Sequence, residues 1–447
     1  MLFSSFAFLL VFLPIVIGVY YVSPRKIRNA VLCIFSIFFY AYGEPKYVVL
    51  LLISSLVDYT VGRMLEHTES FIKRRICLMV SIICNIGLLA VFKYSGLFPL
   101  PIGISFYTFQ TLSYTIDVYR KKVDAQHNFI TFCAYVSFFP QLIAGPIVQY
   151  KTVEKELSGR RENWTDFSEG AFRFCVGLAK KVVIANSIGE LFKEISMYQA
   201  DRMFTSVAWL SVIAFALQIY FDFSGYSDMA IGLGRIFGFH FLENFDHPYE
   251  SKSITEFWRR WHISLGTWFR EYVYIPLGGN KKGLLRQCIN ILIVWLLTGA
   301  WHGAHWCFVL WGLFYAFWLM LEKLFLLKLL EKLPKLVGRI YTLTLVVIAW
   351  SLFCYPDVVS GNAYMDALLF QGAGVSGSEF HYLLSTYGSW LVIAAFGATS
   401  IPKRIGLFIC EKTNSSFVKT VFMMICFTTS LIFLISGTYN PFLYFRF

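Results

Sequence analysis

The sequence predicts an all-α, polytopic membrane protein, and three observations lead there. The 447 residues are 57% hydrophobic and only 15% charged, far from the balance of a water-soluble domain. Long uncharged stretches recur from one end of the chain to the other. The basic residues are scattered over the short loops between those stretches and form no single basic block.

Taken in order, the uncharged stretches cover residues 2–24, 29–43, 76–92, 94–116, 128–150, 203–221, 287–321, 340–356, 382–402 and 420–445. A spanning helix needs about 20 apolar residues, and the 287–321 run could cross twice, so roughly 11 or 12 spans are expected. The first stretch has no basic residue ahead of it and no small-residue cleavage pattern at its end, so it reads as a retained span. Arg25, Lys26 and Arg28 follow it, and Lys73, Arg74 and Arg75 precede the 76–92 run. Such short basic loops favour the cytoplasm, which places the N-terminus outside. Lys403, Arg404, Lys412 and Lys419 lie before the last span and only Arg446 after it, so the C-terminus is expected outside too.

The formal charge of +12 suggests nucleic acid only until its distribution is considered. Loop lysines and arginines flanking spans are accounted for by orientation and anionic headgroups, and no nucleic-acid partner is expected. The ten cysteines include no CxxC pair, and Cys33, Cys84, Cys133 and Cys426 sit within apolar runs, as buried free thiols do. With no linker or repeat, residues 1–447 read as a single membrane domain.

The longest polar interruptions are 151–166 and 243–286. In the second, Ser253 and Glu256 form a capping box, so a helix is expected from there to about Tyr272. Helical spacing would put Trp258, His262, Leu265 and Phe269 on one face. Seven Lys or Arg against two Glu between Lys252 and Arg286 suit an amphipathic, cytoplasmic segment in the headgroup layer. A second polar island, "FDFSGYSD", sets Asp222, Ser224 and Asp228 around Gly225. Carboxylates at membrane depth are costly, and the favoured reading is a helix broken at Gly225, with Asp222 and Ser224 satisfying the freed backbone groups.

The run "LTGAWHGAHWCFVLWG" (297–312) carries His302 and His305 among aromatic residues, with no charged residue. Either histidine could simply donate a hydrogen bond to a neighbouring carbonyl. A metal pair is disfavoured, because the zincin pattern needs a spacing of four and an adjacent Glu, and no third ligand is placed nearby. No GxSxG elbow is present to support a serine nucleophile. What remains is general-base chemistry, in which a neutral imidazole takes a proton from a hydroxyl attacking a thioester.

With these residues quoted, the chain resembles the bacterial membrane-bound O-acyltransferases, the MBOAT family, and within it the alginate O-acetyltransferase branch. The resemblance runs through "SFFPQLIAGPI" (137–147), "FDFSGYSDMAIGLGR" (221–235), "ENFDHPY" (243–249), "EFWRRWHISLGTWFREYVYIPLGGN" (256–280) and the His302 run, in that order. Glu271 departs from it, standing where the branch usually has Asp. The resemblance implies a ring of tilted helices, with interfacial and re-entrant helices, around a central tunnel. It makes His302 of the "WHGA" element catalytic, with His262 as the second characteristic polar residue, an Asn, Asp or His in different branches. It gives His305 no role. Trp301, Asn290, Asp222 and Ser224 would support the tunnel, Asn290 most simply as a packing amide, and Arg259 and Arg260 would line a basic donor mouth.

The C-terminal "GTYNPFLYFRF" reads on its residues as an interfacial aromatic belt with Arg446 snorkelling. It is also similar to tails in related systems where a tyrosine is thought to relay the acyl group, which would make Tyr444 an acyl carrier. The expected function is therefore transfer of an acyl group, acetyl by analogy, from cytoplasmic acetyl-CoA or an acyl-carrier-protein thioester to a polysaccharide outside a bacterial cytoplasmic membrane. An extracytoplasmic SGNH-type transferase would complete the reaction, with no bound cofactor or metal. A transporter or flippase is the contrasting reading, since polytopic topology and buried charges fit it as well.

Overall fold

In a computed structural model the chain is helical, with no strand among the residues described, which are 1–199, 203–355, 364–413, 415–437 and 443. The main helices are α1 (Ala7–Val22), α2 (Arg28–Gly43), α3 (Val48–Glu66), α4 (Phe71–Tyr94), α5 (Ile104–Tyr119), α6 (Phe129–Ser137), α7 (Tyr150–Gly159), α8 (Trp164–Ala179), α9 (Asn186–Ser196) and α10 (Thr205–Ile236). They continue as α11 (Ile254–Arg260), α12 (Ile263–Phe269), α13 (Gly283–His302), α14 (Trp306–Leu321), α15 (Lys335–Cys354), α16 (Ser378–Gly397), α17 (Ile401–Lys412) and α18 (Ser415–Ser436).

Six of these are long and apolar enough to cross a membrane: α3, α4, α10, α13, α15 and α18. The pair α16 and α17, bent by 67°, makes a seventh if it counts as one span. The count of long spans is below the number of uncharged stretches because several stretches fold otherwise. In 128–150, Pro140 and Pro146 allow no continuous helix beyond α6. The 287–321 run does fold as two helices, α13 and α14. A Cβ on Gly299 would lie 3.1 Å from the Phe308 carbonyl carbon, and one on Gly312 would lie 3.2 Å from that of Trp295. The glycines thus let the two backbones touch.

The chain packs as two compact units, Met1–Phe174 with Tyr226–Glu243, and Cys175–Gly225 with Asn244–Phe447. In the first, Asp58 of α3 is fully buried and accepts hydrogen bonds from Ser81 Oγ, from Asn85 Nδ2 at 2.7 Å and from Thr115 Oγ1 at 3.0 Å. Hydroxyls and an amide from α4 and α5 thereby compensate a carboxylate placed in an apolar helix. Asp228 is paired with Arg173 at 2.8 Å, and the same guanidinium holds Glu243. Five phenylalanines of this unit, Phe3, Phe8, Phe12, Phe39 and Phe139, interlock with one another. Cys84, expected to be buried, is exposed on α4.

The second unit carries every histidine raised as a catalytic candidate. Here the expected break at Gly225 does not occur, since α10 runs through it unbroken. Gly225 instead permits close approach: a Cβ there would lie 2.8 Å from the Gly177 carbonyl oxygen and 3.0 Å from the Lys181 nitrogen. Asp222 therefore has no freed helix backbone to satisfy. It pairs with buried Lys181 at 2.5 Å, and Lys181 also donates to Asn186 Oδ1 at 3.0 Å.

Candidate active site

The segment that carries His262 is fixed from its N-terminus. Ser253 Oγ accepts the Glu256 N–H at 3.0 Å, and the Glu256 carboxylate accepts the Lys252 N–H at 2.9 Å, so the capping box forms with its return bond one residue early. Glu322, just past α14 and almost fully buried, accepts the N–H of Ile254 at 2.7 Å and of Thr255 at 2.8 Å, and a bond from the Tyr341 hydroxyl at 3.2 Å. Three orphan donors of the first turn of α11 are thus satisfied, two of them by a negative charge at the positive end of the helix.

The single helix expected from Ser253 to Tyr272 is not formed. Helix α11 ends at Arg260, Trp261 is extended, and His262 takes a left-handed conformation at φ 45° and ψ 53° before α12 begins. The cause lies in the segment 244–246. Asp246 N–H donates to the Arg260 carbonyl at 2.9 Å, and Ile263 N–H donates to the Asn244 carbonyl at 3.0 Å. The Asn244 side chain then accepts from the Ser264 N–H at 3.2 Å and the Ser264 hydroxyl at 2.9 Å. The shared face of Trp258, His262, Leu265 and Phe269 is accordingly lost.

Asn244 also settles the state of His262. A backbone N–H can only donate, so the Asn244 atom facing Ser264 is the amide oxygen, and His262 Nδ1, 3.2 Å from that oxygen, carries a proton. Burial lowers the pKa of His262 to about 3, which keeps the ring neutral. Nε2 is then the nitrogen with the lone pair. Phe223 packs edge-on against the ring at 4.7 Å, and Trp301 lies 6.2 Å away.

His302 is the last residue of α13 and is 7% exposed. Its imidazole is met edge-to-face by Trp301 at 4.9 Å, Trp311 at 5.1 Å and Phe353 at 5.1 Å. The C-terminal end of a helix carries partial negative charge, which favours the imidazolium formed when His302 takes up a proton. Trp301 thus stands against both histidines. His305 is not part of this group: α13 ends before it, and it lies exposed at the start of α14. No face is shared by His302 and His305.

The other expected site residues divide. Asn290, fully buried on α13, donates to the Gly279 carbonyl at 2.9 Å, tying down the Gly278–Gly279 turn, where both residues have positive φ. Asp222, already paired with Lys181, accepts the Leu443 N–H at 2.8 Å, and Leu443 is buried. Ser224 is buried, and its hydroxyl has no hydrogen-bond partner among the described residues. Arg259 is exposed, and its charge, after burial, lowers the pKa of Lys323. Arg260 is engaged instead with Glu256 at 2.7 Å and the Asp246 carbonyl at 3.3 Å. Tyr444 lies outside the described residues. Sequence reasoning missed Asn244, Glu322 and Lys181. Asn244 stands inside the quoted "ENFDHPY" without being singled out, and Lys181 left a signal as one of two lysines, Lys180 and Lys181, in the otherwise apolar run 175–185.

In this helical membrane protein two buried histidines, one between α11 and α12 and one at the end of α13, pack against the same indole. The model of the MBOAT, membrane-bound O-acyltransferase family, matches residues 46–365, and the chain belongs to that family. It is 36% identical to the "Probable alginate O-acetylase AlgI" of Pseudomonas putida, over all of both chains. It is 42% identical to the protein of that name in Pseudomonas fluorescens, over 81% of this chain and 75% of the relative. The "Peptidoglycan O-acetyltransferase" of Helicobacter pylori is 28% identical over 100% of this chain and 98% of its own. The chain is a membrane-bound O-acyltransferase, and these relatives lend no support to a transporter.

Proposed function

We propose that the whole chain acts as one catalytic domain that acetylates an extracytoplasmic polysaccharide, with His302 as general base. The observation that carries the reading is the placement of His302 at a helix end, buried and sharing Trp301 with His262. A hydroxyl attacks the acyl carbon of the donor thioester, the new C–O bond forms, and His302 takes the hydroxyl proton. The C–S bond then breaks, and the proton passes to the departing thiolate. His262, with its lone pair on Nε2, orients a hydroxyl or thiol donor better than it polarises a carbonyl.

The donor is acetyl-CoA or a carrier-protein thioester, bound at a cytoplasmic mouth that includes Arg259. Both termini lie outside the cytoplasmic membrane. Tyr444 is the first acceptor, because a phenol with a pKa of about 10 leaves more readily than an alcohol. A separate extracytoplasmic transferase of the SGNH type then passes the acetyl group to the polysaccharide. The hold of Asp222 on neighbouring Leu443 supports this role for the tail. Relatives named for alginate and peptidoglycan acetylation support the acceptor class. The test is cell-surface polysaccharide acetylation with His302→Ala, shown to be folded and inserted, and with Tyr444→Phe. Loss in both is expected. Full acetylation in His302→Ala would overturn the base assignment, and in Tyr444→Phe the relay.

A further inference from the structure

We propose that Trp311 and Phe353 form an acyl-length filter that admits an acetyl group against His302 and excludes longer acyl chains. The inference rests on the reading of His302 as the acyl-transfer base. Both rings lie 5.1 Å from the imidazole and 5.4 Å from each other, edge-to-face distances that leave no room for a hydrocarbon chain between them. They are 1% and 2% exposed. Phe308 closes the same side, 5.1 Å from Phe353.

The wall cannot easily retreat. Trp350 backs Phe353 at 5.4 Å, and Trp295 backs Trp311 at 5.7 Å. The backbones of α13 and α14 already touch at Gly299 and Gly312. A longer chain would have to displace packed rings in an interior that has little slack.

A second observation points to the ligand's chemistry. The indole N–H of Trp311, the indole N–H of Trp258 and the hydroxyl of Tyr315 are buried without a hydrogen-bond partner among the described residues. These three rings are mutual neighbours, 4.8–5.5 Å apart. Buried donors lacking acceptors mark a place where a ligand can supply them. A short acyl thioester brings one carbonyl oxygen, an uncharged acceptor for the indole N–H of Trp311, the ring of the three that packs against His302. A charged group would be desolvated there without a counter-ion.

The experiment uses the full chain in lipid nanodiscs with acetyl-, propionyl-, butyryl- and hexanoyl-CoA as probes and a soluble tyrosine peptide as the hydroxyl acceptor, measuring thiol release and acylated peptide. His302→Ala defines the background. One methylene too many in an apolar pocket is worth roughly 10- to 200-fold in kcat/KM, so the wild type should prefer acetyl to propionyl by that factor. Trp311→Phe and Phe353→Leu should each raise the propionyl-to-acetyl ratio by about tenfold or more and admit butyryl, while still turning over acetyl-CoA. Equal use of acetyl and butyryl by the wild type would overturn the filter, as would an unchanged ratio in both variants. Absence of His302-dependent turnover in the wild type would instead overturn the reading beneath it.

Discussion

At the scale of single residues, the protonation state of His262 is held by its surroundings. The Asn244 amide oxygen fixes the proton on Nδ1, so on the proposal that His262 assists His302, Asn244→Ala should lower transfer by roughly tenfold, about what a lost hydrogen bond of 1–1.5 kcal/mol gives. Unchanged transfer would show that the tautomer is irrelevant. Burial gives a second expectation. The folded-state pKa of about 3 lies below the ordinary 6.5, so between those values the unfolded chain binds a proton that the folded chain does not. Stability from this group is therefore full above pH 6.5 and falls as the pH drops toward 3. The melting midpoint in nanodiscs should fall between pH 7.5 and 5, and His262→Gln should flatten that slope. An identical slope in the variant would place the acid sensitivity elsewhere.

Among elements, the ends of helices decide the site. Glu322→Ala would strip two buried amides of α11 of their acceptor, at about 1–3 kcal/mol for each. Faster hydrogen exchange across 254–262 together with a lower melting temperature is the expected signature. Lys181→Met should cost roughly 3–5 kcal/mol, because it leaves the Asp222 carboxylate buried without its cation. Adding Asp222→Leu should recover part of that loss, and a double variant no more stable than Lys181→Met would argue against the pairing. Much of this plan is legible in the sequence. The 287–321 run is too long for one crossing, and Ser253 with Glu256 marks the start of α11. The break at His262 is not legible, because Trp258, His262, Leu265 and Phe269 keep helical register while the interrupting group, Asn244, lies 18 positions away. Glu322 hides for the same reason, 68 positions from the amide it caps. Gly225 misleads in the opposite direction: it reads as a helix breaker but serves close packing.

For the whole molecule, the proposed donor mouth is testable at its charges. Arg259 is the exposed guanidinium beside Lys323, whereas Arg260 is committed to Glu256. Arg259→Ala should therefore raise KM for acetyl-CoA severalfold with little change in kcat, and the difference should shrink in high salt as charges are screened. A salt-independent effect would remove Arg259 from donor binding. The +12 charge is spread over many loops, where lysines and arginines favour anionic headgroups.

The left-handed backbone at residue 262 has a consequence for descent as well as for catalysis. Few side chains tolerate that conformation, and outside glycine the ones that enter it most readily are Asn, Asp and His. These are the three residues that the resemblance places at this position in different branches. The fold restricts the vocabulary before the chemistry chooses a word: a lineage can exchange an imidazole for an amide or a carboxyl here without rebuilding the turn. A β-branched or bulky aliphatic residue would have to rebuild the turn first.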